Sequence, residues 1–275
     1  MNRRDCMIKL VAIDIDGTLL NDQHEVTDEV KTALHAAKEK GVKVVLCTGR
    51  PIGGVKQYLE ALNLTQDGDY VIAYNGALVQ NAHTKEVVSE LTLEYKDLQT
   101  VYEISKELGS PMHYFDSANL YSPNRRISEY TVLESYLTTV PLSYMSVEEA
   151  PKDIVIPKMM FIDEPKKLDK IIAQIPEKMK EEYMLVKSAP FFLEILNPNV
   201  SKGNAVKLLS ETLGIKQEEV MAIGDNGNDV TMVSYAGCGV AMENAIPELK
   251  DVADHITASN NDHGVAKAID QFILS

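Results

Sequence analysis

The sequence lacks any long apolar run, which excludes the membrane-spanning proteins. No stretch approaches the roughly 18 uncharged apolar residues that a transmembrane helix needs. Near the N-terminus, Asp5 and Lys9 interrupt a short apolar run and Asp14 ends it. We therefore expect no signal peptide.

Cysteine is also scarce. Cys6, Cys47 and Cys238 are far apart, odd in number and without a CxxC pair. This pattern excludes a disulfide framework and a four-cysteine zinc site. Together with the absence of a signal peptide, it predicts a protein of the reducing cytoplasm.

Positive charge is in short supply, because 27 Lys and Arg face 41 Asp and Glu, for a net charge of -14. Proteins that bind duplex nucleic acid usually carry a basic face, and no Lys/Arg-rich run supplies one here. The surplus of carboxylates instead suits a divalent metal site. With 45% hydrophobic residues, the 275 residues are expected to fold into one large or two modest domains.

The first third of the chain alternates strand-like and helix-like segments. Buried strands are predicted at 9–13, 42–47 and 70–74, with helices at 27–40 and 54–62. This alternation is typical of a parallel sheet with right-handed crossovers.

The C-terminal part repeats that pattern. Its predicted elements are a helix at 202–213, a strand at 220–223, a helix that ends near Tyr235, a strand at 239–242 and helices at 246–253 and 265–273. A long polar turn, GDNGND, separates the strand at 220–223 from the helix that follows it.

The middle of the chain differs, because most of the aromatic residues lie there. Short strand-like runs (MHYF, NLYS, KMMFID, FFLEIL) surround two predicted helices, at 97–108 and 167–182. We interpret this part as an inserted α+β unit. The predicted organisation is a first core segment at 1–87, an inserted domain at 88–196 and a second core segment at 197–275.

Two carboxylates, Asp14 and Asp16, stand at the end of the first predicted strand, and Gly17 permits a tight turn after them. The carboxyl ends of parallel strands are where open α/β sheets build their sites. One carboxylate could act as a nucleophile and the other as a proton donor and acceptor. An acidic surface turn is the alternative.

Two further motifs offer groups for an anion. Thr48, Gly49 and Arg50 follow the second strand and supply a hydroxyl, approachable backbone N–H groups and a guanidinium. Lys202 opens a helix, where it opposes the macrodipole unless an anion is held there. Taken alone, the first motif also fits an ordinary turn, and the second a solvated surface lysine.

The fourth motif is the turn GDNGND, in which Asp225 and Asp229 flank two asparagines. Asp225 could ligate a hard cation through oxygen. The EF-hand pattern does not fit, because its third ligand position would fall on Gly227. All four motifs lie at predicted strand ends or nearby helix starts, so a parallel sheet brings them to one edge. Carboxylates, a hydroxyl, a lysine and asparagines together suit phosphoryl transfer.

In this order, IDIDGTLL, CTGRP, SKG and GDNGND resemble the motifs of the haloacid dehalogenase (HAD) superfamily. With AYNGALVQ, KSAPFFLEILNP and GVAMENAIPELK, nearly the whole chain resembles the bacterial Cof-type sugar phosphatases of subfamily IIB. The resemblance implies an α/β fold, with a Rossmann-like parallel-sheet core and an inserted α+β cap of the C2B type. It also implies that the cap closes over the site and selects the substrate.

The resemblance also implies roles, position by position. Asp14 would be the nucleophile that forms an aspartyl-phosphate, and Asp16 the general acid and base. Mg²⁺ would be bound by Asp14, the backbone carbonyl of Asp16, and Asp225, with Asp229 supporting the metal site. The implied phosphate- or substrate-binding residues are Ile15, Thr48, Gly49, Arg50, Lys202 and Asn228.

Four further residues are candidates for substrate contact. Asn75 and Glu194 lie near the two predicted domain crossings, and Arg125 and Arg126 are adjacent arginines of the inserted unit. A surface or structural role is the alternative for each of them.

The predicted function is that of a Mg²⁺-dependent phosphatase of small phosphorylated metabolites, sugar phosphates above all. The alternatives are a hexose phosphomutase of the same superfamily and a non-catalytic regulator that binds a phosphorylated metabolite. The predicted partner is a small phosphate ester, with neither nucleic acid nor membrane.

Overall fold

The computed structural model describes residues 7–275. Asp5 and Cys6, which entered the expectations of no signal peptide and no disulfide, lie outside the described residues. By contacts the chain divides into two compact units. The first contains the residues up to Thr48, Lys56–Ser89 and Ser201–Ser275, and the second contains Gly49–Val55 and Glu90–Val200. The segment Gly49–Val55 was predicted to belong to the first core segment but clusters with the second unit.

The strands form two sheets. In chain order they are β1 (Leu10–Ile13), β2 (Lys43–Cys47), β3 (Tyr70–Ala73), β4 (Leu78–Asn81), β5 (Val87–Glu90), β6 (Met112–Phe115), β7 (Leu120–Ser122), β8 (Leu142–Tyr144), β9 (Met159–Ile162), β10 (Met184–Ala189), β11 (Phe192–Leu196), β12 (Val220–Gly224), β13 (Cys238–Ala241) and β14 (His255–Ile256).

The α-helices connect and cover these strands. They are α1 (Asp28–Glu39), α2 (Ile52–Ala61), α3 (Tyr95–Leu108), α4 (Glu129–Thr138), α5 (Pro165–Gln174), α6 (Glu177–Glu182), α7 (Lys202–Thr212), α8 (Val230–Tyr235), α9 (Pro247–Val252) and α10 (Gly264–Ile269). Within residues 7–275, none of the helices combines the length and the apolar character needed to cross a membrane.

The sheet of the first unit has the order β14-β13-β12-β1-β2-β3-β4-β5. The strands from β14 to β3 pair in parallel, and β4 is antiparallel to β3. The chain moves outward from β1 to β5 on one side and from β12 to β14 on the other. The direction therefore switches between β1 and β12, which is where open α/β sheets bind their ligands. This confirms the predicted α/β class and its Rossmann-like core.

Burial explains why these segments form a parallel core. All four residues of β1 are fully buried, as expected for a continuous apolar strand covered on both faces. In α1, Val30, Ala33, Leu34 and Ala37 are buried at helical spacing, so one stripe packs on the unit's core.

The second unit is an α+β layer with the sheet order β10-β11-β9-β6-β7-β8. Alternate residues of β9 enter two different clusters, as the two-residue period of a strand requires. Met159 and Phe161 pack with residues of α3 and α5. Met160 and Ile162 pack with Phe115 and Phe192.

One helix prediction in this unit is wrong, and one helix was missed. The helix expected at 167–182 is broken into α5 and α6, because Pro176 has no backbone N–H to continue the ladder. Helix α4 was not predicted, because its buried side chains include Thr131, Glu134 and Thr138 while Tyr136 is 80% exposed. A helix that buries polar groups shows no apolar stripe in its sequence.

Candidate active site

Asp14 follows β1 directly, and its side chain is only 7% exposed. Its backbone N–H donates to the carbonyl of Ile223 at 3.0 Å, beside the end of β12. The chain then turns through Gly17, whose φ is +81°. A Cβ at Gly17 would lie 2.5 Å from Asp225 Oδ2, so a glycine is needed for Asp225 to approach this turn.

Lys202 is the first residue of α7 and is completely buried. Its Nζ donates to Asp14 Oδ1 and to Asp229 Oδ1, both at 2.5 Å. Burial lowers the pKa of Lys202, but the charges of Asp14 and Asp229 outweigh it and hold the pKa above its ordinary value. A solvated surface lysine is therefore the wrong interpretation, and the two carboxylates offset the unfavourable helix dipole.

Asp229 organises the turn after β12 and is fully buried. Its Oδ2 accepts the backbone N–H groups of Asp225 and Asn226, both at 3.0 Å, while Oδ1 faces Lys202. Asp225 is held separately, because Thr18 Oγ1 donates to its Oδ1 at 2.8 Å. Each carboxylate of this turn thus has a fixed orientation before any ligand binds.

Oxygen atoms of Asp14, Asp225 and Asp229 lie within 4.8 Å of one another. Three carboxylates and one ammonium leave an excess of two negative charges. Burial, followed by the charge of Asp229, raises the pKa of Asp14 well above its usual range. Burial also raises the pKa of Asp225 to about 6. A divalent cation with a preference for oxygen would relieve this repulsion, so the donor set fits Mg²⁺.

The aspartates predicted at the metal site differ in how their carboxylates are held. Asp14 and Asp225 carry the raised pKa values described above. Both oxygens of Asp229 already accept hydrogen bonds, which suits a supporting position. The side chain of Asp16 is exposed, so it is accessible to a substrate.

Hydrogen bonds link two of the predicted phosphate-binding residues through Asn75. The backbone N–H of Asn75 donates to the carbonyl of Thr48, and Asn228 Nδ2 donates to Asn75 Oδ1, both at 2.9 Å. Asn75, a candidate for substrate contact, lies in the turn after β3 in the first unit. Ile15 has a fully buried side chain, so only its backbone can bind a phosphate.

The remaining predicted residues belong to the second unit. Gly49 and Arg50 are partly exposed there, and Arg125 and Arg126 are exposed.

Glu194 belongs to a buried charge centre of the second unit. Lys158 Nζ lies 3.1 Å from Glu194 Oε1 and 3.4 Å from Glu134 Oε1. Burial and the charge of Lys158 hold the pKa of the nearby His113 well below its usual range. We call Lys158, Glu134 and Glu194 the second-unit charge centre.

Sequence reasoning missed two residues that hold the turn after β1. Besides Thr18, Asn244 contributes, because its Nδ2 donates to the carbonyl of Gly17 at 2.8 Å. The position of Thr18 directly after Gly17 was a usable signal. Asn244 is separated from Gly17 by 227 residues. It lies in the segment GVAMENAIPELK, which carries part of the family resemblance, but that segment does not report the contact with Gly17.

Comparisons with known proteins agree with this geometry. The family described as "haloacid dehalogenase-like hydrolase" matches residues 11–269. "Putative phosphatase YxeH" of Bacillus subtilis is 64% identical over 269 residues, which cover 98% of this chain and all of that protein.

Solved structures give the same result. A haloacid dehalogenase-like hydrolase from Bacteroides thetaiotaomicron superimposes with a TM-score of 0.86 at 29% identity, over 96% of this chain and 99% of that one. The HAD subclass IIB sugar phosphatase BT4131 gives a TM-score of 0.79 at 27% identity, over 96% and 98%.

Proposed function

The chain belongs to the haloacid dehalogenase-like hydrolase family and is a phosphatase of that family. We propose that it hydrolyses small phosphorylated metabolites with Mg²⁺, through an aspartyl-phosphate on Asp14. Sugar phosphates are the proposed substrates, and the similarity to a subclass IIB sugar phosphatase supports them. The observation that carries the proposal is the buried contact of Lys202 with Asp14 and Asp229, beside Asp225, at the switch point of the sheet.

The proposed reaction has two steps. A carboxylate oxygen of Asp14 attacks phosphorus, the bond from phosphorus to the ester oxygen breaks, and Asp16 protonates the leaving alcohol. Water then attacks the phosphorus of the aspartyl-phosphate, and Asp16 accepts its proton. Inorganic phosphate leaves and the Asp14 carboxylate is restored.

Charge compensation is the main task of the surrounding residues. Lys202 offsets the repulsion between the Asp14 carboxylate and a phosphate dianion. In this proposal the phosphate oxygens are bound by a set that the family resemblance supports as a whole: the backbone at Ile15, Thr48, Gly49, Arg50 and Asn228. Mg²⁺, when bound by Asp14, the Asp16 carbonyl and Asp225, supplies further positive charge to the phosphoryl oxygens.

The test is release of inorganic phosphate from a panel of phosphate esters, with Mg²⁺ and with EDTA. We expect Mg²⁺-dependent release that falls to background in Asp14→Asn, while Asp67→Asn, an exposed aspartate of the first unit, stays at the wild-type rate. Isomer formation from hexose phosphates without net release would contradict the proposal in favour of a mutase. Binding without any turnover would favour a regulator.

The role of Asp16 has its own test. Loss of a general acid costs about 10²- to 10⁴-fold in rate, so Asp16→Asn should be severely slowed on alkyl phosphates. It should be slowed much less on a nitrophenyl phosphate, whose leaving group needs no protonation. Equal losses on both esters would refute the general-acid role.

A further inference from the structure

The turn after β3 is strained and lies next to the proposed phosphate site. Tyr74, Asn75 and Gly76 all have positive φ, of 51°, 57° and 102°. This left-handed conformation is unfavourable for a bulky residue such as tyrosine and tolerated by asparagine and glycine. Such strain persists where surrounding contacts enforce it, and it is concentrated at functional sites.

The contacts of this turn reach three of the motifs. Asn75 is 2% exposed, and its backbone N–H holds the Thr48 carbonyl at 2.9 Å. Its Oδ1 accepts from Asn228 Nδ2 at 2.9 Å. Gly76 lies against Ser201, the N-cap of the helix that carries Lys202, because a Cβ there would be 2.4 Å from the Ser201 carbonyl oxygen.

We propose that Asn75 is a positioning residue of the phosphate site, whose side-chain amide orients Asn228 for the phosphate. The proposal rests on the proposed function, since it requires Asn228 to bind phosphate. The hydrogen bond from Asn228 Nδ2 to Asn75 Oδ1 fixes the amide plane of Asn228 before a ligand arrives. The Thr48 carbonyl is held by the backbone N–H of Asn75, so replacing the side chain leaves that contact in place, while the contact of the side chain with Asn228 is lost.

Asn75→Gly separates this role from the backbone strain. Glycine adopts a φ of 57° without penalty, so the turn is retained and only the amide is lost. We expect kcat/KM to fall roughly 10- to 100-fold, the usual cost of a misplaced binding group. The fall should be equal for sugar phosphates and for acetyl phosphate, because the phosphoryl group is common to both.

A double-mutant cycle with Asn228→Ala distinguishes positioning from a structural role. If Asn75 acts through Asn228, Asn75→Gly/Asn228→Ala should stay within about 3-fold of Asn228→Ala alone. Inhibition by inorganic phosphate should weaken in the same non-additive way. Losses that multiply, or an Asn75→Gly enzyme with wild-type kinetics, would overturn the proposal.

A matched control is available at Asn63, which has a φ of 54° and is exposed. Asn63→Gly makes the same exchange at a left-handed position and should leave kinetics unchanged. If Asn75→Gly does not fold, Asn75→Asp keeps the size and tolerates the backbone. Its charge should weaken inhibition by inorganic phosphate at least 10-fold, and unchanged inhibition would overturn the proposal.

The two proposals fail in different ways. A well-folded wild-type protein that releases phosphate from no ester overturns the proposed function and this inference together. An active wild type with multiplicative losses in the cycle overturns the inference alone.

Discussion

Each unit of the molecule buries a lysine between two carboxylates, yet the two centres differ in their charge environment. Lys202 contacts Asp14 and Asp229, and a third carboxylate, Asp225, shares the site. In the second-unit charge centre, Lys158 faces Glu134 and Glu194 and also lies 5.1 Å from the ring centroid of Phe115.

The pKa values show what this difference means. Burial raises the pKa of Asp14 and of Glu134 alike. For Asp14 the next cause is a second acid, Asp229, whereas for Glu134 it is the opposing charge of Lys158. Arg50, in the same unit, also lowers the pKa of Glu134. Buried ion pairs alone therefore do not identify a reactive site. A buried carboxylate whose pKa is shifted more by a neighbouring acid than by its lysine is the better indication.

Replacing each lysine by methionine gives the largest expected contrast. Lys202→Met removes the cation that we propose faces the phosphate, and it should reduce phosphate release by about 10³-fold or more. Lys158→Met should change the turnover of acetyl phosphate by less than 10-fold when assayed well below its melting temperature. Steady-state kinetics of the two variants test this, and a comparable loss in both would remove the distinction between the centres.

Stability should show the second contrast. Lys158→Met leaves Glu134 and Glu194 buried without their lysine, and breaking such a centre costs about 3 kcal/mol or more of unfolding free energy. Adding Glu134→Gln and Glu194→Gln removes the stranded charges and should restore part of that loss. Urea unfolding measures both steps. A triple variant less stable than Lys158→Met would contradict this account.

The third contrast is in pH dependence. The pKa of Asp225 rises from 3.8 to about 6 on folding, so its protonated form is favoured by the folded state. Without metal, its contribution to stability is complete below pH 4 and is lost as the pH rises through 6. The proposed Mg²⁺ site needs Asp225 as a carboxylate, so the stabilising effect of the ion should grow over the same interval.

Thermal melting with and without Mg²⁺ isolates this effect. At a hundred times its dissociation constant, the ion should add about 2.7 kcal/mol near pH 7, and much less near pH 5. The pKa values of Glu134 and His113 also differ from their ordinary values in the folded protein. Their contributions to the pH dependence of stability should be the same with and without the ion. Asp225→Asn should remove the metal effect, and an Mg²⁺ shift that does not depend on pH would contradict the assignment.

Sequence reasoning was strongest where local patterns decide the structure. The strand ends at Asp14 and Asp225 could be placed because a buried apolar run stops at a polar turn, and the parallel sheet joins such ends. Helix α1 was predicted from a capping residue at Thr27 or Asp28 and a glycine stop at Gly41, and it is confirmed over Asp28–Glu39.

Sequence reasoning failed where the contacting residues are far apart in the chain, or where a helix buries polar instead of apolar side chains. The burial of Lys202 depends on Asp14, which is 188 residues away, and no local rule reports that contact. Helix α4 places polar groups inward, so its sequence lacks the period that identifies a helix. The role of Asn75 likewise depends on Asn228, 153 residues later.

The strand order also determines when this centre can form during synthesis. Asp14 and its neighbour β2 leave the ribosome early, whereas β12, on the other side of β1, follows the whole second unit. A nascent chain that stops before residue 202 has the acid but not the lysine that pairs with it. Its Asp14 carboxylate should therefore stay hydrated. Synthesis of α7 and β12 should then add the strand that pairs with β1 and bury this charge.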